Sequence, residues 1–308
     1  MKVLSLFGGI STGQLALKEL GINVSRFVEY EIDELPKRVT IANFPSSELH
    51  SDVQNCNVID YLGFDLLMGG SPCNDLSSAM SNRDGLAGKK SSLFFEYVRI
   101  LKGVKPKYFL FENVGSMKKQ DELIINQLLG CEPIRINSKD YSPALRNRYY
   151  WTNIPQLINK EFKQDIELNS VLEDGYWSDR KKARSLLASD SRPLTSPIKM
   201  MHRYCNIGFV TIVFKNKAIG EQLLLDFKTK YKGLKAKELD KLLEKDPYDK
   251  SLYNSDNIRF LNQRELEACQ GMPKGYTKVL TRNESAHCLG NGWTLPVIKE
   301  LLSGLKGE

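Results

Sequence analysis

Cys73, Glu112 and the pair Arg146 and Arg148 have the types and settings for nucleophilic and acid–base chemistry in this 308-residue chain. Cys73 follows the apolar run Phe64-Asp65-Leu66-Leu67-Met68 on the Gly/Pro-rich turn Gly69-Gly70-Ser71-Pro72-Cys73-Asn74. An open α/β sheet presents its functional groups just beyond the strand ends, on such turns. An isolated cysteine is more often an inert buried hydrophobe; the turn favours the nucleophile here. Glu112 closes a second apolar run, Tyr108-Phe109-Leu110-Phe111. Arg146 and Arg148 stand two residues apart, a spacing that an extended backbone points to one face.

A second group of residues has the chemistry of a ligand cradle. Phe7-Gly8-Gly9-Ile10-Ser11-Thr12-Gly13 is a glycine-rich strand-to-helix turn, which lets a ligand approach backbone N–H groups at a helix N-terminus. Its spacing is not that of the dinucleotide fingerprint. Glu31 follows eighteen residues after Gly13 and can accept both hydroxyls of a ribose. Asp52, past a third strand, could accept from an adenine amino group. Singly these signals are weak, since a glycine turn is more often only a turn. Together they describe an adenosyl ligand without a pyrophosphate.

These residues must be held by strands and helices. Val3–Phe7, Ser25–Glu29, Phe64–Met68 and Tyr108–Phe111 read as strands, with helices over Thr12–Leu20, Leu93–Leu101 and Glu122–Leu129. Strands alternating with helices predict an α/β fold with a parallel, doubly wound sheet. From about Asn159 the pattern dissolves into polar and basic sequence. Ile207–Phe214 reads as a strand, Glu221–Glu244 has helical apolar spacing, and Asn262–Gly271 and Pro296–Leu302 read as helices. The expected organisation is a first domain of residues 1–175 and 262–308 and a smaller basic domain of residues 176–261.

Charge follows the same division. Residues 180–260 carry 18 Lys and Arg against 9 Asp and Glu, while the remainder has 26 against 28. Such a segment suits a polyanion partner or is a solvated lysine-rich face, and charge alone does not separate the two. The six cysteines include no CxxC pair, and the three histidines fall at no metal-ligand spacing, so free thiols and no metal site are expected. No apolar stretch approaches the ~18–20 residues of a membrane span. The initial apolar run breaks at Gly8-Gly9 without a leader's cleavage pattern, so the expected location is the cytoplasm.

The sequence resembles the cytosine-5 DNA methyltransferases. Ser71-Pro72-Cys73-Asn74, Glu112-Asn113-Val114, Arg146-Asn147-Arg148 and Leu289-Gly290-Asn291-Gly292-Trp293-Thr294 stand in that family's order. The similarity covers residues 1–155 and 262–308. Asn74, the following Asp75-Leu76-Ser77, and Leu93-Phe94-Phe95-Glu96 are most similar to the vertebrate de novo branch and its bacterial and phage relatives. Gly8 stands where that branch commonly has Asp, a position that varies across the family.

The resemblance implies a Rossmann-like, S-adenosylmethionine-dependent methyltransferase sheet with a smaller target-recognition domain, acting on double-stranded DNA in a prokaryotic or phage setting, with or without a restriction partner. Cys73 would be a nucleophile toward cytosine C6, Glu112 would hold the base at N3, Arg148 its O2, and Arg146 the loop or a phosphate. S-adenosylmethionine, leaving as S-adenosylhomocysteine, would lie against Phe7, Gly9, Ser11 and Thr12. Glu31 would take its ribose, Ile32 and Val53 its adenine ring and Asp52 the amino group, with Gly70, Pro72, Leu93, Asn291 and Trp293 completing the site. A flipped-out target would meet the stretch 78–90; Ser77, Met80, Lys89 and Lys90 are expected at the DNA, with Met80 a wedge or a plain surface residue. Arg180, Lys181, Arg184 and Arg203 are expected DNA-binding groups of the basic domain. Two rivals remain: a tRNA enzyme, whose branch usually carries Pro-Pro-Cys-Gln, and a silent DNA-binding paralogue, which would lose residues that are all present here. Recognition sequence and oligomeric state, monomer or homodimer, are not legible.

Overall fold

Short, continuous apolar runs build the centre of the molecule, because a parallel strand covered on both faces has no solvent side to mark with polar residues. The computed structural model describes residues 1–72, 76, 85–88, 92–156, 161–186, 196–208, 210–243, 245 and 251–307. Among the described residues the chain forms two compact units, one of residues 1–138, 146–163 and 292–308, the other of residues 139–145 and 164–291.

In the first unit, β1 (Lys2–Leu6), β2 (Arg26–Tyr30), β3 (Glu48–His50), β4 (Leu66–Gly69), β5 (Tyr108–Val114), β6 (Ile134–Asn137) and β7 (Asn147–Thr152) form one sheet in the order β3-β2-β1-β4-β5-β7-β6. The pairs from β3 through β5 are parallel, and β7 runs antiparallel between β5 and β6. The order reverses between β1 and β4, which puts a crevice at the carboxyl ends of those strands. Helices α1 (Thr12–Glu19), α2 (Glu34–Asn43), α3 (Leu93–Val104) and α4 (Lys119–Leu129) make the connections. The strands expected from sequence are all present, shifted by a residue or two. β5 extends to Val114, so Glu112 lies inside the strand rather than past its end. The register sets Glu112 opposite Tyr150 and Val114 opposite Arg148, bringing the latter within reach of the carboxylate.

The apolar core on one side of the sheet gathers Phe94, Tyr97 and Ile100 of α3 with Phe111 and Trp151. Its two buried polar tips are matched: Tyr97 Oη donates to Leu110 O at 3.1 Å, and Trp151 Nε1 donates to Asn126 Oδ1 at 2.7 Å.

The second unit has its own core. A two-stranded antiparallel sheet pairs Ile212–Phe214 with Ile258–Phe260. Around it pack Ile198 and Met201, Leu223, Leu224 and Phe227, Tyr231 and Leu239. The single helix expected over 221–244 is instead two, Lys217–Lys230 and Ala236–Leu243. Gly233 adopts φ +80° between them, a conformation that interrupts a right-handed helix. The strand expected over 207–214 is confined to its last three residues, and Arg203–Ile207 is a turn of π-helix.

The unit boundaries also differ from those expected. Residues 164–175 and 262–291 pack with the basic segment. Arg259 shows why: its guanidinium donates to both carboxylate oxygens of Glu265, at 2.8 and 2.9 Å, and to Glu173 at 3.3 Å. Glu265 also completes a capping box with Asn262 at the start of helix Gln263–Cys269. The segments flanking the basic stretch are thereby tied into one polar network.

Candidate active site

The turn after β1 is built from an alternation of left-handed residues, Phe7 at φ 56°, Gly9 at φ 59° and Ser11 at φ 55°. Only glycine adopts such angles without cost, so Phe7 and Ser11 are held there by their surroundings. A side chain added at Gly9 would meet nothing within 4 Å, so the backbone there faces open space. Thr12 and Ser11 are buried, and the Ser11 hydroxyl is turned inward to Glu29. Contact between this loop and a ligand therefore falls to the backbone and to Phe7.

Glu31 stands beside the turn. Its Oε2 accepts from Gly9 N and its Oε1 from Asp33 N, both at 2.8 Å. Burial raises its carboxyl above the ordinary value, against those backbone hydrogen bonds. The acid is thus pre-oriented at the ends of β1 and β2. The next residue, Ile32, is 69% exposed, an apolar surface fit for a flat ring. Asp52 caps the short turn Val53–Asn55 by accepting from Gln54 N at 2.9 Å, while Val53 is buried in the core cluster. These features, left-handed loop, open backbone, oriented acid and exposed apolar face, fit an adenosyl cofactor.

The second cluster surrounds Glu112. Arg148 Nε lies 2.8 Å from Glu112 Oε1 as an ion pair, and Trp293 Nε1 donates to Oε2 at 3.1 Å. The arginine's approach is not aligned as a hydrogen bond, so buried Oε1 accepts none. A Cβ at Gly70 would lie 2.7 Å from Glu112 Oε2 and 3.1 Å from Trp293 Nε1. A Cβ at Gly13 would crowd Met68 at 2.7 Å and stand 3.4 Å from the Trp293 ring. The first turn of α1, the loop after β4, the carboxylate and the indole therefore converge. Asn113 Nδ2 donates to Ser71 O at 3.3 Å and Ser71 Oγ at 3.2 Å, fixing the segment that leads into Pro72.

Arg146 is buried, with its backbone N–H donating to Asn137 Oδ1 at 3.2 Å, in a setting distinct from that of Arg148 on the carboxylate. Leu93, partly buried, packs on the sheet's core at the start of α3. Asn291 ends helix Arg282–Asn291 in the second unit and is exposed. Cys73, Ser77, Met80, Lys89 and Lys90 lie outside the described residues. Sequence reasoning missed the part of Asn113, although it sits inside the quoted Glu-Asn-Val. It also gave Trp293 only to the cofactor, whereas its indole reaches Glu112.

The basic residues of the second unit divide by what they touch. Arg180 donates to the carbonyls of Val210 at 2.6 Å and Tyr204 at 3.3 Å, and its guanidinium lies 3.9 Å from the Tyr204 ring centroid. Tyr204 in turn donates to Asp179. This is an internal brace. Replacing Arg180 by alanine should cost about 1–3 kcal/mol by stranding buried carbonyls. Urea denaturation checks this; an unchanged midpoint would refute the brace. Lys181 and Arg184 are exposed, and the Lys181 ammonium pairs only loosely with Glu167, at 3.7 Å. Arg203 is half-buried in the π-helical turn.

The sheet order, the glycine-rich loop after β1 and the acid after β2 define the fold of S-adenosylmethionine-dependent methyltransferases. Two solved structures share it over nearly their whole lengths. A DNMT2 mutant of Spodoptera frugiperda matches with TM-score 0.69 at 20% identity, over 99% of both chains. The methyltransferase EhMeth of Entamoeba histolytica matches with TM-score 0.68 at 17%, over 99% of this chain and 97% of that one.

The chain belongs to the C-5 cytosine-specific DNA methylase family, whose model matches residues 1–307. It is 31% identical over 189 residues to the orphan methyltransferase M.SPRI of Bacillus phage SPR, covering 57% of this chain and 43% of that one. It is 25% identical over 307 residues to the type II methyltransferase M.FnuDI of Fusobacterium nucleatum, covering 93% and 88%. The chain thus spans less than half the length of the phage enzyme. Among the described residues no group of His, Cys, Asp and Glu could hold a metal ion, and no helix is long and apolar enough to cross a membrane.

Proposed function

We propose that this methyltransferase acts on C5 of cytosine in duplex DNA, with the base turned out of the helix and Cys73 as the nucleophile. The observation that carries this reading is the buried Oε1 of Glu112, which is ion-paired with Arg148 but accepts no hydrogen bond. It suits a group that must engage a polar ring edge. A stacked base cannot enter a site bounded in this way, so flipping follows from the chemistry.

Bound S-adenosylmethionine would supply an electrophilic methyl group for C5. Phe7, Gly9, Glu31 and Ile32 would hold it, by loop backbone, oriented acid and exposed apolar face. The Cys73 thiolate adds to C6, forming the S–C6 bond and pushing the electron pair of the C5–C6 bond onto C5 as an enamine. Glu112 holds the proton at N3 that relieves charge in the ring. Arg148 stabilises charge at O2 and orients the carboxylate through its ion pair. After C5 is methylated, its proton leaves to solvent and the thiolate departs from C6, restoring the C5–C6 double bond.

Duplex DNA is favoured over tRNA by Ser71-Pro72-Cys73-Asn74, which differs from the Pro-Pro-Cys-Gln of the tRNA branch, whereas the net positive charge of residues 180–260 suits either polyanion. The test is transfer of labelled methyl groups to unmethylated duplex DNA and to unmodified tRNA in parallel. Label in DNA, with bisulfite sequencing placing it at cytosines of one short context, is the expected result. Label confined to tRNA would overturn the DNA assignment, and label in neither would favour the silent paralogue.

A further inference from the structure

Glu29 is a carboxylic acid inside β2, fully buried, and the chemistry above does not use it. Its side chain reaches the cofactor loop from below. Oε2 is 2.6 Å from Ser11 Oγ, Ser11 Oγ is 2.9 Å from Thr40 Oγ1, and Thr40 Oγ1 is 3.2 Å from Glu29 Oε1. Ser11 and Thr40 are as buried as the acid. Three oxygen–oxygen contacts thus close a ring. Two hydroxyls bring only two hydrogens to it, so a carboxylate would leave one contact with no hydrogen between its oxygens. A neutral acid brings the third: Glu29 donates to Ser11, Ser11 to Thr40, and Thr40 back to Glu29.

The same side chain fills the place of a missing one. A Cβ built at Gly8 would overlap Cγ, Cδ and Oε2 of Glu29. Gly8 and Glu29 are therefore a matched pair, and the ring holds the left-handed Ser11 between Gly9 and α1.

We propose that Glu29 is a positioning residue for the S-adenosylmethionine loop, working as a neutral acid that clamps Ser11 through Thr40 and occupies the space left by Gly8. The proposal rests on reading residues 7–12 as the cofactor's loop. Burial raises the Glu29 carboxyl to about 8, against its hydrogen-bond contacts with Ser11 and Thr40 and with the charge of Glu31 adding to the rise. Glu31, just past the end of β2, is the titratable group that acts on it among the described residues, with Ser11 from the loop and Thr40 from α2, and none of these is cationic. Because the folded value lies above the ordinary one of 4.5, the acid's contribution to stability is complete at low pH. It falls as pH rises toward about 8 and is gone above that.

The experiment titrates the protein with S-adenosylhomocysteine by calorimetry across neutral and alkaline pH, with urea midpoints recorded in the absence of ligand. It compares wild type, Glu29→Gln, Glu29→Ala, Gly8→Ala and the Gly8→Ala/Glu29→Ala double variant. For wild type, affinity should be level to pH 7 and fall about tenfold by pH 9, the loss expected when one proton must be regained. Glu29→Gln, whose amide completes the same ring without a titrating proton, should bind with a level profile. The ligand-free midpoint of wild type, relative to Glu29→Gln, should fall between pH 5 and 8 and then flatten. Gly8→Ala should weaken binding alone, yet cost little in the Glu29→Ala background. A Glu29→Gln profile that tracks wild type, or Gly8→Ala equally harmful in both backgrounds, would overturn the proposal. Absence of binding by wild type at every pH would overturn the reading of the loop instead, and the ligand-free midpoints would still decide whether the ring exists.

Discussion

Glu112→Gln should lower methyl transfer by about 10²–10⁴-fold, the range that a positioned proton donor contributes, while cofactor affinity stays within a factor of about two. The asymmetry follows from where the carboxylate's partners come from. Arg148 and Trp293 hold its two oxygens from neighbouring segments, whereas the loop of residues 7–12 is held by other acids, Glu31 through Gly9 N and Glu29 through Ser11. An amide keeps the size, so Gly70 still clears it, but it presents an N–H where Arg148 or Trp293 requires an acceptor. Single-turnover transfer with labelled S-adenosylmethionine reads the first quantity and calorimetry the second. Loss of cofactor binding together with turnover would move Glu112 from the base to the cofactor.

Cys73→Ala should abolish transfer and covalent capture together. With 5-fluorocytosine at the target position, the departing C5 proton is replaced by fluorine, so wild-type protein should remain joined to the DNA as a band resistant to denaturing electrophoresis. The alanine variant should give none and should still bind S-adenosylhomocysteine. A surviving adduct would transfer the nucleophile's role to another residue. The segment before Cys73 is held for such a task. β4 is buried throughout, Gly70 closes on Glu112, and Asn113 anchors Ser71.

Much of this architecture is legible one residue at a time. β1, β2, β4 and β5 are each built on a short apolar run because they are buried in a parallel sheet, and each is recognisable for that reason. β3 was invisible as an element because it is three residues long and, at the sheet's edge, exposes both Glu48 and His50. α2 hides behind Pro36 in its first turn. The 221–244 segment has the spacing of one helix, and what divides it is a single backbone angle at Gly233.

The site separates along the same line. Glu31, Glu112 and Arg148 follow strands or lie in them, so pattern and order find them. Glu29 cannot be found this way. A glutamate in a strand reads as a solvent-facing residue until Gly8, Ser11 and Thr40 are known to surround it. The basic segment was legible as charge and not as contact: Arg180 and Lys181 are neighbours in sequence, but one braces carbonyls and the other is exposed.

The bond between Trp293 and Glu112 spans 181 residues, and Lys299 on helix Leu295–Leu302 pairs with Glu19 at the end of α1 across 280. Such contacts form late, because the loops they close are long. During synthesis, the loop of residues 7–12, Cys73 and the Glu112 carboxylate all leave the ribosome well before the Trp293 indole that braces Glu112. A partly made chain would therefore hold most of its reactive groups without the clamp that organises them. The Glu112 carboxylate thus acquires its indole partner only once residue 293 has been made and has folded back.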